Sequence, residues 1–373
     1  MPRSPRNSVA FTVVVTLVAL LGGGLMFTVI AASGAPDILL VATVLAVLPV
    51  GPLVACFLWL DRYEPEPRSL LVAGLLWGAL ASTGTALVLQ GVGSLRMGWT
   101  EFQSLAIGAP VTEELTKGIF LLLLLWWRRD ELDGILDGIV YAGMVGIGFA
   151  FTENILYLAA AYQGGPGMGP GGVDALTQVF VLRGLFSPFA HPLFTVFTGI
   201  GIGIAVGSRS PVVRVLAPLL GYALAVLTHG LWNASSVYDG GRGFLGVYVA
   251  IMFPAFLLLT GFAIWSRRTE KRILTASLTD AARRGLLPAS DIPWLVDLGS
   301  RRRMRRFVKE QGPEALQALR AYQQAAIELG FLHHRFLRGT APRDFSSRGQ
   351  VHVARIQAAR PYFSFPGQVV PTR

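Results

Sequence analysis

Long apolar runs fill the first two thirds of the chain, with polar residues gathered mostly at their ends rather than alternating with apolar ones. Eight runs, near residues 9–32, 38–60, 69–92, 103–127, 135–161, 178–206, 214–237 and 244–265, are each long enough to cross about 30 Å of hydrocarbon at about 1.5 Å per residue. The expected fold class is all-α: a polytopic transmembrane helix bundle of about eight spans over residues 1–266. The pattern then changes. Residues 267–341 read as a basic helical cytoplasmic region, in which the run Arg301-Arg302-Arg303-Met304-Arg305-Arg306 is followed by helical spacing of Leu316, Leu319, Ala326, Leu329 and Phe331. Residues 342–373 turn to Ser, Gly, Pro and Arg and read as a flexible end.

Composition agrees with the pattern. Hydrophobic residues make up 53% of the 373 and charged residues only 14%, too few for an ordinary soluble surface. A single cysteine, Cys56, excludes an intrachain disulfide framework and a thiolate zinc site. The first run ends in Ala31-Ala32-Ser33-Gly34-Ala35, small residues that would suit a signal-peptide cleavage site, but the run exceeds the usual signal core and is read as a span.

Charge divides the chain at Ser266. Residues 267–373 carry 20 Lys and Arg against 8 Asp and Glu, whereas residues 1–266 carry 12 against 14. Basic side chains collect on the cytoplasmic side of membrane proteins. With both termini cytoplasmic, that side holds Arg3, Arg6, Arg62, Arg68, Arg128, Arg129, Arg209, Arg214, Arg267, Arg268, Lys271 and Arg272, and the other holds Arg96 and Arg242. The basic tail is expected to meet anionic lipid headgroups; no nucleic acid is expected, because no recognised module accompanies the charge.

Polar residues inside the spans carry the chemistry. Glu113, Glu114, Lys117, Glu153, Asn154, Arg183, His191, His229 and Asn233 all fall within runs four to seven. An ionisable group at a span centre costs roughly 2.5–3.5 kcal/mol, so a group of them requires mutual pairing, water or function. Lys117 follows Glu113 by four positions and Glu114 by three, both facing distances on a helix. Asn233 follows His229 by four, whereas Asp137, at the start of its run, reads as a helix-start residue. Counted along antiparallel spans, Glu114, Glu153, His191 and His229 fall roughly 12–20 Å below the outer surface, one layer on four helices.

Glu113-Glu114-x-x-Lys117, Phe149-x-x-x-Glu153-Asn154, Arg183 with His191 and Thr195, and His229-x-x-x-Asn233 resemble, in order, the motifs of the PrsW family of intramembrane proteases, related to the CAAX-prenyl endopeptidase and bacteriocin-processing superfamily. The loop Asp61-Arg62-Tyr63-Glu64-Pro65-Glu66-Pro67 is also similar. The resemblance implies hydrolysis of a peptide bond in a membrane-anchored protein substrate. On the residues' own chemistry, Glu114 is the expected base that activates water, with Glu113 held partly by Lys117. His229 and Asn233 are the expected oxyanion donors, His191 and Glu153 orient water or substrate, and Asn154 and Arg183 give structural support. A zinc version with ligands from Glu114, Glu153, His191 and His229 remains open, although no His-Glu-x-x-His helix is present. A proton-coupled transporter would also bury such groups, yet no internal repeat is evident.

Overall fold

A computed structural model describes residues 5–32, 36–165, 169–342 and 344–366. The orientation-setting Arg3 and the signal-cleavage residues Ser33–Ala35 lie outside the described residues. Among the described residues the chain is helical, without a named strand, and it divides into two compact units.

The larger unit, Ser4–Asp61 with Glu66–Ala263, holds the apolar helices. In chain order these are α1 (Pro5–Ala32), α2 (Pro36–Val47), α3 (Val50–Leu60), α4 (Arg68–Met97), α5 (Ala109–Trp127), α6 (Ile135–Gln163), α7 (Val173–Phe180), α8 (Ala190–Gly207), α9 (Pro211–Val237) and the start of α10 (Phe244–Arg283). Among the described residues seven helical stretches are apolar and long enough to span, with α2–α3 and α7–α8 each making one. The run near 103–127 is not among them: α5 is 19 residues long but holds Glu113, Glu114 and Lys117. Its charge, not its length, separates it from the expected eight.

Helix α6 is the central post, with most of its side chains buried. Small residues let neighbouring backbones come into contact with it, the packing expected where lipid removes the hydrophobic drive between helices. A Cβ on Gly138 would sit 2.1 Å from the Gly199 carbonyl oxygen of α8, and one on Gly148 would sit 1.9 Å from that of Leu75 in α4. Asp137 does act at the helix start, accepting from the backbone N–H groups of Asp133 at 2.9 Å and Gly134 at 2.8 Å.

The sixth run is broken rather than continuous. After α7 a π-helical turn, Val181–Phe186, ends at Ser187, and a new helix starts at Ala190. Pro188 pushes Ser187 off helical geometry (φ −131°, ψ 37°). Arg183 and His191 therefore do not share one helix face, and His191 enters in the first turn of α8.

Between α3 and α4, the turn carries buried acids. Asp61 accepts the Glu66 backbone N–H at 3.0 Å, and the Tyr141 hydroxyl donates to Glu66 at 2.5 Å. Burial pushes the Asp61 carboxyl up to about 8, against the opposing Glu66 N–H bond and with the Asp137 charge adding to the rise; burial lifts Glu66 as well. A raised folded-state value favours the protonated acid, so this share of stability is complete below the ordinary aspartate value and is lost as pH rises toward about 8. Asp61→Asn keeps the acceptor and removes the charge. Its thermal midpoint in nonionic detergent is expected to fall less than wild type's from about pH 5 to about pH 8; equal slopes would rule out Asp61 as a source.

The smaller unit gathers Arg62–Pro65 with the chain from Ile264 onward. It contains the end of α10, α11 (Ile292–Val296), α12 (Leu298–Lys309), α13 (Pro313–Leu337) and α14 (Phe345–Ala359). Leu278, Met304, Leu319, Tyr322, Ile356 and Phe363 belong to its apolar core. Asp291, fully buried at its centre, accepts from Tyr322 at 2.6 Å and Arg360 at 2.9 Å. The stretch after 342, read as flexible from composition, instead supplies α14 and the buried Phe363 and Phe365, while residues 343 and 367–373 lie outside the described residues. Composition missed this because a few well-spaced apolar residues suffice when a core is already present. Arg301 also departs from the exposed basic face: it is buried and donates to the carbonyls of Leu295 and Tyr63.

Candidate active site

Four helices bring the polar residues together. Glu113, Glu114 and Lys117 come from α5, Glu153 from α6, His191 and Thr195 from α8, and His229 from α9. All but Glu153 are buried, and Glu114 and Lys117 are completely so.

Lys117 lies at the centre. Its Nζ is 2.7 Å from Glu114 Oε1, 3.1 Å from His191 Nδ1, 3.6 Å from Glu113 Oε2 and 3.8 Å above the centre of the Phe149 ring. An ammonium only donates, so His191 Nδ1 accepts, and its Nε2–H donates to Glu153 at 2.5 Å. Glu153 also pairs with Arg183, whose Nε donates to Asn154 Oδ1 at 2.8 Å and whose guanidinium lies 4.1 Å from the Tyr157 ring centre.

The adjacent glutamates differ sharply. Glu114 is saturated: Oε1 takes Lys117 and His229 Nδ1, the latter at 3.0 Å, and Oε2 takes the Thr195 hydroxyl at 3.0 Å. Expected from the sequence to face water as the base, it has no exposed surface in this arrangement. Glu113 takes one side-chain donor, Gln90 of α4, on Oε1 at 3.1 Å. Its buried Oε2 accepts no hydrogen bond and faces His229 Nε2 at 3.7 Å. His229 Nδ1–H points at Glu114, which leaves the Nε2 lone pair on the Glu113 side. Phe194 stacks on the His229 ring, with centres 4.7 Å apart and planes at 16°.

Ligand atoms of Glu113, His191 and His229 lie within 4.8 Å of one another. Two imidazoles and a carboxylate form a donor set of the catalytic zinc type. The orphaned Glu113 oxygen fits that set, and the formal charges do too, since three carboxylates meet only Lys117 and Arg183. A metal ion would take the His191 nitrogen that Lys117 now faces. Glu114 and Glu153, candidate ligands by sequence, lie outside this set and hydrogen-bond His229 and His191 respectively.

Asn233 is not brought into this cluster: its Nδ2 donates to the Leu105 carbonyl at 2.9 Å, which ties α9 to the π-helical turn before α5. Gln90 is the residue sequence reasoning missed, and its only signal was a lone amide inside an otherwise apolar run. A small cleft opens beside His191, lined by Asn154, Arg183, Ser187, Pro188 and Trp232 among others.

The chain matches, over residues 66–259, the family described as PrsW family intramembrane metalloprotease. "Protease PrsW" of Geobacillus kaustophilus is 30% identical over 159 residues, 43% of this chain and 64% of that protein. The proteins of that name from Oceanobacillus iheyensis and Bacillus subtilis are each 26% identical, over 58% and 66% of this chain and 92% and 96% of their own lengths. No solved structure matches the chain. The family match takes in α4 through α9 and every residue of the buried cluster, and the chain belongs to the PrsW family of intramembrane proteases.

Proposed function

We propose that the buried cluster hydrolyses a peptide bond of a membrane-anchored protein, with Glu113, His191 and His229 as the ligand set for a zinc-class ion. The observation that carries this reading is the Glu113 Oε2 atom, buried, without a hydrogen bond, and opposite the His229 Nε2 lone pair. Bound there, such an ion would lower the pKa of a water and polarise a carbonyl. The chain's own residues do the rest. Glu114 and Thr195 fix the tautomer and tilt of His229, and Glu153, steadied by Arg183 and Asn154, does the same for His191. Phe194 and Phe149 wall the cluster and keep bulk water out, which strengthens each charge inside it. The cleft between Arg183, Ser187 and Trp232, beside His191, has room for about one water molecule.

A metal-free reading has one observation in its favour: the Lys117 ammonium already faces His191 Nδ1 at 3.1 Å. In that case Glu113, not Glu114, is the carboxylate with a free oxygen to act as base. The bias of twelve basic residues against two in the alternate loops supports cytoplasmic termini, with α5 as the eighth crossing.

Chelation separates the two mechanisms. Detergent-purified protein is expected to cleave members of a panel of single-span substrates, to lose that activity when metal is stripped, and to regain it with zinc. Full cleavage after metal has been removed to background would sink the metal reading and leave the Glu113 base.

A further inference from the structure

Helix α12 presents Arg302, Arg305, Arg306 and Lys309 at i, i+3, i+4, i+7, the spacing of one helical stripe, and all four are exposed. Arg301, Met304 and Val308 form its buried side. Four of the acids nearby in the unit are engaged elsewhere. Asp297 caps α12 through Ser300 N at 2.7 Å, Asp280 holds His333 and Arg284, Asp291 holds Arg360, and Glu328 meets His352 and Arg355. Arg305 donates to Gln323 and feels another cation, Arg320. Phe307 is 38% exposed on a different face of the helix, about 100° or more around the axis from Arg302, Arg306 and Lys309.

The loop Arg62–Pro65 locates this helix. It joins a span that ends at Leu60 to one that begins at Arg68, so it lies at the membrane surface. Arg301 Nη1 donates to the Tyr63 carbonyl at 3.1 Å and lies 3.5 Å from that of Arg62. The guanidinium groups of Arg267 and Arg301 lie 5.2 Å and 5.8 Å from the Tyr63 ring centre. The first turn of α12 is therefore tied to the loop that joins those two spans.

We propose that the Arg302, Arg306 and Lys309 face of α12 docks on anionic phospholipid headgroups of the leaflet from which the Arg62–Pro65 loop emerges. Each basic side chain near such a surface gains on binding, and salt weakens the gain. This surface is independent of the hydrolytic site.

The test is amide hydrogen exchange of α12 in the full chain, in nanodiscs of phosphatidylcholine alone or with added phosphatidylglycerol. Exchange is expected to slow about tenfold with the anionic lipid. The protection is expected to vanish at about 1 M salt, where the screening length is about 3 Å. It should also vanish in an Arg302→Gln, Arg306→Gln, Lys309→Gln variant whose α13 exchange is unchanged. Equal exchange of α12 in the two lipid compositions would overturn the proposal, as would protection by an added RNA oligonucleotide without any from phosphatidylglycerol. The salt arm uses wild type alone, so misfolding of the variant leaves the proposal testable.

Discussion

Glu113→Gln is expected to abolish both cleavage of single-span substrates and stoichiometric metal binding, whereas Glu114→Gln retains metal at saturating concentration. The neutral amide keeps the volume of the side chain and the Gln90 contact geometry, but it removes the cluster carboxylate whose buried Oε2 accepts no hydrogen bond. Glu114 acts one step back, through the Nδ1–H of His229. Loss of such an orienting carboxylate usually weakens metal affinity about 10–100-fold rather than eliminating it. Gln90→Leu belongs with Glu114→Gln on this scale, since it frees the Glu113 carboxylate to rotate. Metal content measured beside cleavage decides the assignment. If Glu114→Gln lost the metal while Glu113→Gln kept it, the roles given to the two glutamates would have to be exchanged.

Lys117→Met is expected to be the most destabilising single change in the bundle. Lys117 and Glu114 are fully buried and 2.7 Å apart, so removal of the ammonium strands a carboxylate in low dielectric. Breaking a buried pair in this way costs about 3–5 kcal/mol. His229 and Thr195 still contact Glu114, but both are neutral donors unless the imidazole takes a proton. The double variant Lys117→Met with Glu114→Gln is expected to recover much of the loss, because the stranded charge goes with its partner. Unfolding in detergent across the four proteins of this cycle gives the coupling energy. Additive losses would show that the pair is not an interacting unit.

Seven of the eight spans, the partition of charge at Ser266 and the four polar helices were legible in the sequence, and so was the family. Transfer of a side chain into lipid is a property of the residue itself, and it sums along a run without reference to the fold. Motif order is likewise one-dimensional. The roles within the cluster were not legible. Glu113 and Glu114 are neighbours in the chain, yet about 100° apart around the helix axis, and only the arrangement of α8 and α9 decides which one meets His229 Nδ1 and Thr195 and which one keeps a free oxygen. Asn233 stands four residues after His229, as expected of a shared face, but a carbonyl supplied by another segment, Leu105, claims it. Gln90 gains its meaning only from α5 lying against α4. The same holds in the basic unit, where Arg301 and Arg302 are adjacent and alike in sequence. One is buried against the Tyr63 carbonyl and the other is exposed, because a helix turns each successive side chain toward a different neighbour. Element identity followed from local energetics, whereas hydrogen-bond partnership depended on which helices pack together.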